Sequence, residues 1–306
     1  MIPLVVIEGP TASGKTDLAV KTAQLIGGEV VSADSMQIYK YMDIGSAKPT
    51  KEEMCMVPHH LIDIAEPTQN FSLHEYLPAA HAAIADIARR GKIPVMAGGT
   101  GLYIDTVKNN IILSDEKDDP SVRQKYESFY KLNGVDALHR LLVEKDPVSA
   151  EKIHKNNVKR VIRALEINEL SGMSMSEAQK KSRSGEKIYD VFEFAINYER
   201  DVLYSRINRR VDIMFEKGLI EEVEFCIKLG CTRKNTSMQA IGYKEILDYF
   251  DGISTFDETK EKIKTESRRY AKRQLTWFRR SNITWLAPGE SIDKYMAKID
   301  FEKYYR

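Results

Sequence analysis

Short apolar segments alternate with helix-patterned segments over the first third of the chain. "PLVVIEG" is continuously apolar and rich in β-branched residues, and "EVVSADS" and "KIPVMAGGTGLY" are also strand-like. Between them, "TDLAVKTAQLI" and "HEYLPAAHAAIADIARRGK" carry apolar residues at helical spacing, with Gly91 as a suitable helix C-terminal stop. Strands alternating with helices predict an α/β fold built on an open, doubly wound parallel sheet.

The alternation stops near residue 112. The stretch 113–187 is polar, charged and helix-patterned, after which "YDVFEFAINY" supplies another strand and helices fill most of the remaining chain. We therefore predict the first part of an α/β core over 1–112, a mainly helical insertion over 113–187, and the remainder of the core over 188–306, which includes a helical C-terminal part.

Composition narrows the class of protein only modestly. The 306 residues allow one large domain or two ordinary ones, and 46 basic residues nearly balance 45 acidic ones, so only a local basic patch would indicate a polyanionic partner. Cys55, Cys226 and Cys231 form no CxxC pair and are expected to be reduced thiols. No apolar stretch approaches the ~20 residues of a membrane helix. The N-terminus resembles a strand more than a signal peptide, so we expect a cytoplasmic protein without membrane contact.

The loop between the first predicted strand and helix has the pattern G-x-x-x-x-G-K-[ST], "GPTASGKT". Its glycines let successive amides point at phosphate oxygens, and the following helix N-terminus adds partial positive charge. Lys15 offers a point charge, and the Thr16 hydroxyl is a ligand for Mg²⁺. Such P-loops are typical of nucleotide-binding and ATP-binding proteins. The predicted phosphate-binding residues are Gly9, Pro10, Thr11, Ala12, Ser13, Gly14, Lys15 and Thr16.

Asp34 follows Lys15 by about twenty residues and is predicted at the carboxyl end of the neighbouring strand, beside the phosphate crevice. There its carboxylate could bind Mg²⁺, accept a proton from an acceptor substrate, or cap a turn. "GGTGLY" (98–103) forms a second glycine turn at a strand end. The histidines of "HHLID" would point to opposite faces of a strand, which favours structural roles over a shared metal.

Residues 260–280, "KEKIKTESRRYAKRQLTWFRR", carry nine basic residues against Glu261 and Glu266. Ala271, Leu275 and Phe278 would pack on the core, while Arg268, Lys272 and Arg279 share an adjacent helix face. A nearly one-signed surface repels itself unless a polyanion binds, so this helix predicts contact with RNA.

Seven segments together resemble the IPP transferase family, the tRNA dimethylallyltransferases. They are "GPTASGKT", "DSMQIYKYMDIGSAKP", "HHLID", "AGGTGLY", "RVIRALEI", "QAIGYKEI" and "KRQLTWFRR", and they span residues 4 to about 286 in the family's order. The resemblance implies transfer of a dimethylallyl group from dimethylallyl diphosphate to N6 of adenosine 37 in tRNA, beside the anticodon. The loop would then hold a diphosphate leaving group with Mg²⁺, and the target adenine would leave its stack to react.

The resemblance also implies roles for individual residues. Asp34 would be the base, Thr100 would lie at the reaction channel with Lys15 and Thr16, and Arg206 in "YSRINRR" would bind the diphosphate. Contacts with the tRNA anticodon stem-loop would come from Asp34, Ser35, Met36, Gln37, Thr100, Arg123, Lys159, Arg160, Val161, Ile162, Arg163, Gln239, Ala240, Ile241, Gly242, Tyr243, Lys244, Lys272, Arg273, Gln274 and Arg279. The family usually has Gln-Arg where this chain has Lys159-Arg160, a difference that leaves the electrostatics of the contact intact and puts a hydrogen-bonding role of residue 159 in question. We expect a monomer.

Two other classes of function also fit the phosphate loop. A small-molecule kinase would use it for ATP and Asp34 as a base, but would give no role to the insertion or the basic helix. A nonenzymatic, nucleotide-dependent RNA-binding switch would give no role to Asp34. Within the first class, a relative that prenylates free AMP is disfavoured by the long insertion and the "KRQ" helix.

Overall fold

A six-stranded, all-parallel sheet forms the centre of the protein in the computed structural model, which describes residues 1–113 and 119–305. The strands are β1 (Ile2–Glu8), β2 (Gly28–Ser32), β3 (His59–His60), β4 (Ile93–Gly98), β5 (Tyr189–Ile196) and β6 (Thr284–Leu286). Their order across the sheet is β3-β2-β4-β1-β5-β6. The predicted α/β class with a parallel sheet is confirmed, and the short edge strand β6 is an addition that the sequence pattern did not reveal.

Thirteen α-helices accompany the sheet in the described residues. They are α1 (Lys15–Ile26), α2 (Lys51–Met56), α3 (Leu73–Arg89), α4 (Gly101–Lys108), α5 (Pro120–Lys145), α6 (Pro147–Lys152), α7 (Val158–Ser171), α8 (Met175–Ser182), α9 (Arg200–Glu216), α10 (Leu219–Lys228), α11 (Tyr243–Phe250), α12 (Phe256–Phe278) and α13 (Asp293–Met296). In the described part of the chain, no helix combines the length and apolarity needed to cross a membrane.

The central strand β1 explains why the sheet is buried on both faces. Val5 and Ile7 pack in one apolar cluster with Leu18 of α1, while the alternate residues Leu4 and Val6 are also fully buried. The helices α3 and α4 contact β4, and α1 contacts β4 and β2. Because every strand runs in the same direction, the loops after β1, β2 and β4 all lie at one edge of the sheet.

The chain divides into two compact units, one formed by Met1–Lys108 with Lys187–Arg306 and the other by Asn109–Glu186. The second unit contains α5 to α8 and has its own apolar core, in which Tyr126, Leu142 and Leu165 are buried. Its longest helix, α5, is interrupted at Gly134, whose φ is +79°. The first residues of the predicted helical insertion, 114–118, lie outside the described residues.

A buried carboxylate ties together the ends of β2, β3 and α3. Glu29 is only 2% exposed and accepts two hydrogen bonds from the Arg90 guanidinium, at 2.5 and 2.7 Å. His60 Nε2 lies 2.8 Å and Lys92 Nζ 3.1 Å from the same carboxylate. These partners, chiefly Arg90, lower the pKa of Glu29 to about 2. The second histidine of "HHLID" therefore has a structural partner, as predicted.

We expect Glu29→Gln to destabilise the protein by about 1–3 kcal/mol at neutral pH, because it removes the charge of a buried carboxylate from its partly exposed partners Arg90 and Lys92. The folded-state pKa lies below the ordinary value of 4.5, so this stabilisation is present above about pH 4.5 and is lost as the pH falls toward 2. Urea unfolding of both proteins between neutral and acid pH measures it. A difference in the free energy of unfolding that stayed constant down to low pH would contradict this assignment.

Candidate active site

The phosphate-binding loop, residues 9–16, connects β1 to α1 as predicted. Gly14 precedes the helix with φ +83°, the left-handed region that favours glycine, and gives the helix no side-chain cap. The first amides of α1 are therefore open to a ligand, and such helix N-termini bind anions. The Ser13 amide donates to the Pro10 carbonyl at 3.3 Å and closes the loop. This arrangement suits a phosphate ligand.

Two arginines of α9 lie next to this loop. Arg206 Nε donates to the Ala12 carbonyl at 2.8 Å, and its guanidinium lies over the Tyr198 ring at 4.8 Å from the centroid. Arg210, one helical turn further on, has a buried Nε with no hydrogen-bond partner within residues 1–113 and 119–305. Burial lowers the pKa of Arg210, while the Asp34 charge raises it. The sequence reasoning singled out Arg206 and missed Arg210, although a spacing of four residues places both on one helix face.

Lys15 is in an electrostatically unfavourable position. Burial and, to a smaller extent, the Arg210 charge lower the pKa of Lys15 to about 8, although the Asp34 charge opposes both effects. Lys15 and Arg210, together with Arg206 and Arg209, line a surface depression of about 450 Å³. The positive charges of Lys15 and Arg210 repel each other, so a bound anion would reduce this repulsion and stabilise both charged side chains.

On the other side of Lys15 is a deeper cavity of about 330 Å³, within the range of small-molecule sites. Lys15, Thr16, Asp34 and Arg210 form part of its polar lining. Its apolar lining includes Ile207, Val211 and Met214 of α9, Ile241, and Ile263 of α12. One cavity therefore contains the cations of the phosphate-binding region, the carboxylate of Asp34 and an apolar surface.

Asp34 reaches this cavity from a strand that does not neighbour β1. The prediction of adjacent strands was wrong, since β4 lies between β1 and β2. Asp34 Oδ1 accepts the Met36 amide at 3.0 Å, which fixes the turn after β2. Among the described residues, no hydrogen bond reaches Oδ2. One carboxylate oxygen thus holds the turn, while the other is available to a ligand.

Thr100 holds the Asp34 turn in place from the glycine turn after β4. Its hydroxyl accepts the Ser35 amide at 3.0 Å and donates to the Ser35 hydroxyl at 3.3 Å, and its own amide donates to the Ala33 carbonyl at 3.1 Å. The structure thus brings Thr100 and Asp34 together. Tyr270 of α12 is close to both, and burial and the Asp34 charge raise the pKa of Tyr270 to about 12.

The loop after Asp34 forms another wall of the cavity. Gln37 is 8% exposed; its side chain accepts from the Ser32 hydroxyl at 3.0 Å and donates to the Ala47 carbonyl at 3.3 Å. Glu222 of α10, which the sequence reasoning missed, accepts the amides of residues 43–45 at 2.7 to 2.9 Å. It also accepts the Tyr243 hydroxyl at 2.5 Å. These bonds fix the backbone at Gly45, which lines the cavity.

Residues 239–244 lie where α11 begins. Gln239, Ala240, Ile241 and Lys244 line the cavity. Gly242 and Tyr243 are buried, and Tyr243 is fully enclosed in the apolar core around α10 and α11. The segment predicted to contact tRNA is thus placed at the cavity, but Tyr243 serves packing.

In the first half of the basic helix α12, the positive charges are paired with acidic residues, which differs from the prediction. Lys260 and Lys264 pair with Asp212 at 2.9 and 3.0 Å, and Lys262 pairs with Asp248 at 2.9 Å. Arg268 donates to the Asn208 side chain at 2.5 Å. The expectation of uncompensated charge is therefore wrong for the first half, because acids on α9 and α11 could not be foreseen from α12 alone.

The second half of α12, together with Arg279 and Arg280 directly after it, keeps an excess of positive charge. Lys272, Arg273, Arg279 and Arg280 are exposed and have no ion pair within the described part of the chain. Arg273 also lines the cavity and lies over the Tyr270 ring at 5.7 Å. Gln274, by contrast, is only 6% exposed. This half is an exposed cationic face suited to a polyanion.

The helical unit carries the remaining predicted RNA contacts on α5 and α7. Lys159 and Arg160 are exposed at the start of α7. Arg123 forms a bidentate pair with Glu166 at 2.7 and 3.0 Å, and Arg163 contacts the same carboxylate at 3.4 Å. Val161 and Ile162 are buried in the core of this unit, so their side chains are not available to RNA.

The parallel sheet and the loop at residues 9–16 place this chain in the P-loop class of α/β proteins. The family model "IPP transferase" matches residues 37–281, and the model "Isopentenyl transferase" matches residues 2–64. The chain belongs to the IPP transferase family.

Similar proteins cover nearly the whole chain. It is 50% identical over 280 residues to a tRNA dimethylallyltransferase of Caldanaerobacter subterraneus subsp. tengcongensis, covering 91% of this chain and 89% of that one. A tRNA dimethylallyltransferase of Bacillus anthracis is 47% identical over 298 residues, with 96% and 94% covered.

Solved structures agree with these sequence matches. The full-length tRNA isopentenylpyrophosphate transferase of Bacillus halodurans superposes with a TM-score of 0.73 at 45% identity, covering 100% of this chain and 98% of that one. A eukaryotic dimethylallyltransferase acting on tRNA gives a TM-score of 0.77 at 30% identity, with 94% and 74% covered. The fold is therefore shared with tRNA isopentenyltransferases.

Proposed function

We propose that this protein transfers a dimethylallyl group from dimethylallyl diphosphate to N6 of adenosine 37 in tRNA, beside the anticodon, and releases diphosphate. The observation that carries this proposal is the 330 Å³ cavity, whose lining includes cationic Lys15 and Arg210 together with the carboxylate of Asp34. Membership of the IPP transferase family supports it.

The donor would bind with its diphosphate on the phosphate-binding loop. The open amides of α1, Lys15, Arg206 and Arg210 form the positively charged surroundings that stabilise a departing diphosphate. The dimethylallyl chain would lie against the apolar side of the cavity, near Val211 and Met214. An allylic C–O bond breaks readily when the charge on its leaving group is neutralised, so this electrostatic role is the main task of the loop.

Magnesium fits this donor set. Mg²⁺ typically binds one or two protein oxygens and takes its other ligands from substrate phosphates and water. The Thr16 hydroxyl at the start of α1 would be its protein ligand, next to the diphosphate. When bound, the ion would supply further neutralisation of the diphosphate charge.

Asp34 would act on the acceptor. The N6 nitrogen forms a bond to C1 of the dimethylallyl group, the C1–O bond breaks, and the electron pair leaves with the diphosphate. The N6 proton passes to a carboxylate oxygen of Asp34, and Oδ2 is suited to accept it because Oδ1 is engaged by Met36. The adenine must leave its stack to reach an enclosed cavity, at a cost of a few kcal/mol.

The tRNA would contact both units through their exposed cations and cavity-lining residues. From the first unit we propose Ser35, Met36, Gln239, Lys244, Lys272, Arg273 and Arg279, and from the helical unit Arg123, Lys159, Arg160 and Arg163. Residues whose side chains are buried, such as Val161 and Tyr243, would support these contacts without making them. A tRNA-modifying enzyme of this kind would act in the cytoplasm, and we propose a monomer.

A single experiment tests the proposed function. Purified protein is incubated with dimethylallyl diphosphate, Mg²⁺ and tRNA, and the digested nucleosides are analysed by mass. A dimethylallyl-adenosine product is expected with tRNA but not with AMP, and a tRNA with guanosine at position 37 should remain unmodified. ATP turnover without prenyl transfer would favour the kinase, whereas RNA binding with neither activity would favour the switch.

The exposed half of α12 gives a quantitative prediction. Replacing both Lys272 and Arg279 by Gln should weaken tRNA binding and lower the slope of log K against log salt by about 0.7 to 0.9 for each lost phosphate contact. Arg268→Gln is the matched control, because that side chain is engaged by Asn208. Filter binding over a salt series measures the slopes. An unchanged slope in the double variant would show that this face does not contact RNA.

A further inference from the structure

Gln274 joins three parts of the active site through one side-chain amide. Its Oε1 accepts the backbone amide of Thr11 in the phosphate-binding loop at 2.9 Å. Its Nε2 donates to the backbone carbonyl of Gly99, in the turn after β4, at 2.8 Å. The residue itself belongs to α12, the helix that carries the exposed cations. Both ends of the amide are thus satisfied inside the protein.

The surroundings of Gln274 fit this position closely. A Cβ atom at Gly99 would lie 2.4 Å from Gln274 Nε2, so residue 99 must lack a side chain for the bond to form. Trp277, one turn further along α12, donates to the Asp105 carboxylate at 2.8 Å and secures the helix against α4. Gln274 therefore cannot turn outward without breaking two hydrogen bonds, of which the one to Gly99 is buried and the one from Thr11 is partly buried.

In the described hydrogen-bond pattern, side chains from outside the phosphate-binding loop hold its backbone at two adjacent residues, Thr11 and Ala12. Gln274 fixes the Thr11 amide, and Arg206 of α9 fixes the Ala12 carbonyl at 2.8 Å. Between them, the backbone turns through Ala12 with φ +63°, a conformation that costs energy for a residue with a side chain. Such a conformation persists only when its neighbours hold it in place.

We propose that Gln274 is a positioning residue for the donor, which sets the geometry of the phosphate-binding loop from the RNA-facing helix, and that it is not an RNA contact. This inference rests on the proposed function, because it assumes that the loop binds a diphosphate. Two neighbouring residues of α12 would then have different roles. Lys272 is exposed and would contact the polyanion, whereas Gln274 is buried and holds the phosphate-binding loop.

Gln274→Ala tests this directly. Calorimetric titration with inorganic diphosphate and Mg²⁺ should show affinity weakened about 10- to 100-fold, because the substitution removes the two hydrogen bonds through which Gln274 holds the anion-binding loop in place. Affinity for tRNA, and its dependence on salt, should stay within about twofold of the parent protein. Lys272→Gln should show the reverse pattern. Thr276→Ala, an exposed substitution on the same helix, should leave both affinities unchanged.

A second variant keeps the test independent of general damage to the fold. Gly99→Ala retains Gln274 but displaces its Nε2, so it should weaken diphosphate binding in the same way. In Gln274→Ala/Gly99→Ala, the added methyl group occupies space that the amide has left, so the losses should not add. Losses that added in full, or a loss of tRNA affinity at unchanged diphosphate affinity, would overturn the proposal.

The two failures are distinguishable. Absence of prenyl transfer by the parent protein would count against the proposed function, whereas the diphosphate titrations address Gln274 without any tRNA or prenyl group. Thermal unfolding of each variant is measured alongside. If Gln274→Ala bound diphosphate normally at an unchanged melting temperature, Gln274 would have no positioning role.

Discussion

Asp34→Asn is expected to slow prenyl transfer by about 10² to 10⁴-fold, the usual contribution of a general base. Asparagine keeps the size of the side chain and an oxygen that can accept the Met36 amide, so the turn after β2 should survive. It cannot take up the N6 proton at neutral pH. Single-turnover rates at saturating donor and tRNA measure the loss directly.

The affinities of Asp34→Asn provide the first control. Asp34 is the anion that partly offsets Lys15 and Arg210, so its neutralisation should leave diphosphate affinity unchanged or slightly raised. Asp201→Asn, at an exposed acid on α9, should behave like the parent protein. A role confined to the turn would instead cost about 1 kcal/mol of stability with nearly normal chemistry.

A magnesium series separates the remaining alternative. If Asp34 held the metal, the variant should regain much of its rate as Mg²⁺ is raised. If Asp34 is the base, added metal cannot replace a proton acceptor, and the deficit should persist at every concentration. Full rescue by metal would therefore remove Asp34 from this role.

The sequence predicted the fold well where structure depends on local pattern. The segments that became β1 and β4 are almost continuously apolar because both faces of the sheet are covered there. The phosphate-binding loop follows from its own spacing. The order of the strands could not be predicted in this way, because it depends on which distant segments pair with one another across the sheet. The insertion of β4 between β1 and β2 was missed for this reason.

The candidate site was predictable only in part, because tertiary contacts decide what a side chain can do. Arg268 and Gln274 share α12 with Lys272, but Asn208 engages one and the phosphate-binding loop the other. Glu222 lies in an ordinary amphipathic helix, and nothing near it in sequence indicates the three amides that it accepts. The family motif "KRQLTWFRR" gave the position of Gln274, whereas only the structure gives its partners.

Lys15→Met is expected to lower the rate of prenyl transfer by about 10² to 10³-fold, the loss typical of removing one electrostatic stabiliser of a developing anion. The change should act on the donor, because Lys15 lines both the cavity and the depression beside the phosphate-binding loop, whereas Lys272 and Arg279 line neither. Diphosphate affinity should fall, while tRNA affinity stays within about twofold.

The same substitution should affect stability in the opposite direction to catalysis. Burial and the neighbouring Arg210 already lower the pKa of Lys15 to about 8, so the free protein bears the cost of two like charges in one enclosed region. Removing one of them relieves that repulsion, and a residue adapted to its ligand often destabilises the empty protein. The melting temperature of Lys15→Met should therefore be unchanged or higher than that of the parent, while catalysis is largely lost.

Lys21→Met is the matched control, since that lysine lies on the exposed face of the same helix. It should leave the rate, both affinities and the melting temperature unchanged. Calorimetry with diphosphate, filter binding with tRNA, thermal unfolding and single-turnover transfer together distinguish the possible roles of Lys15. A fall of tRNA affinity in step with the rate would show that Lys15 serves the RNA and not the diphosphate. A lower melting temperature would show that it supports the fold.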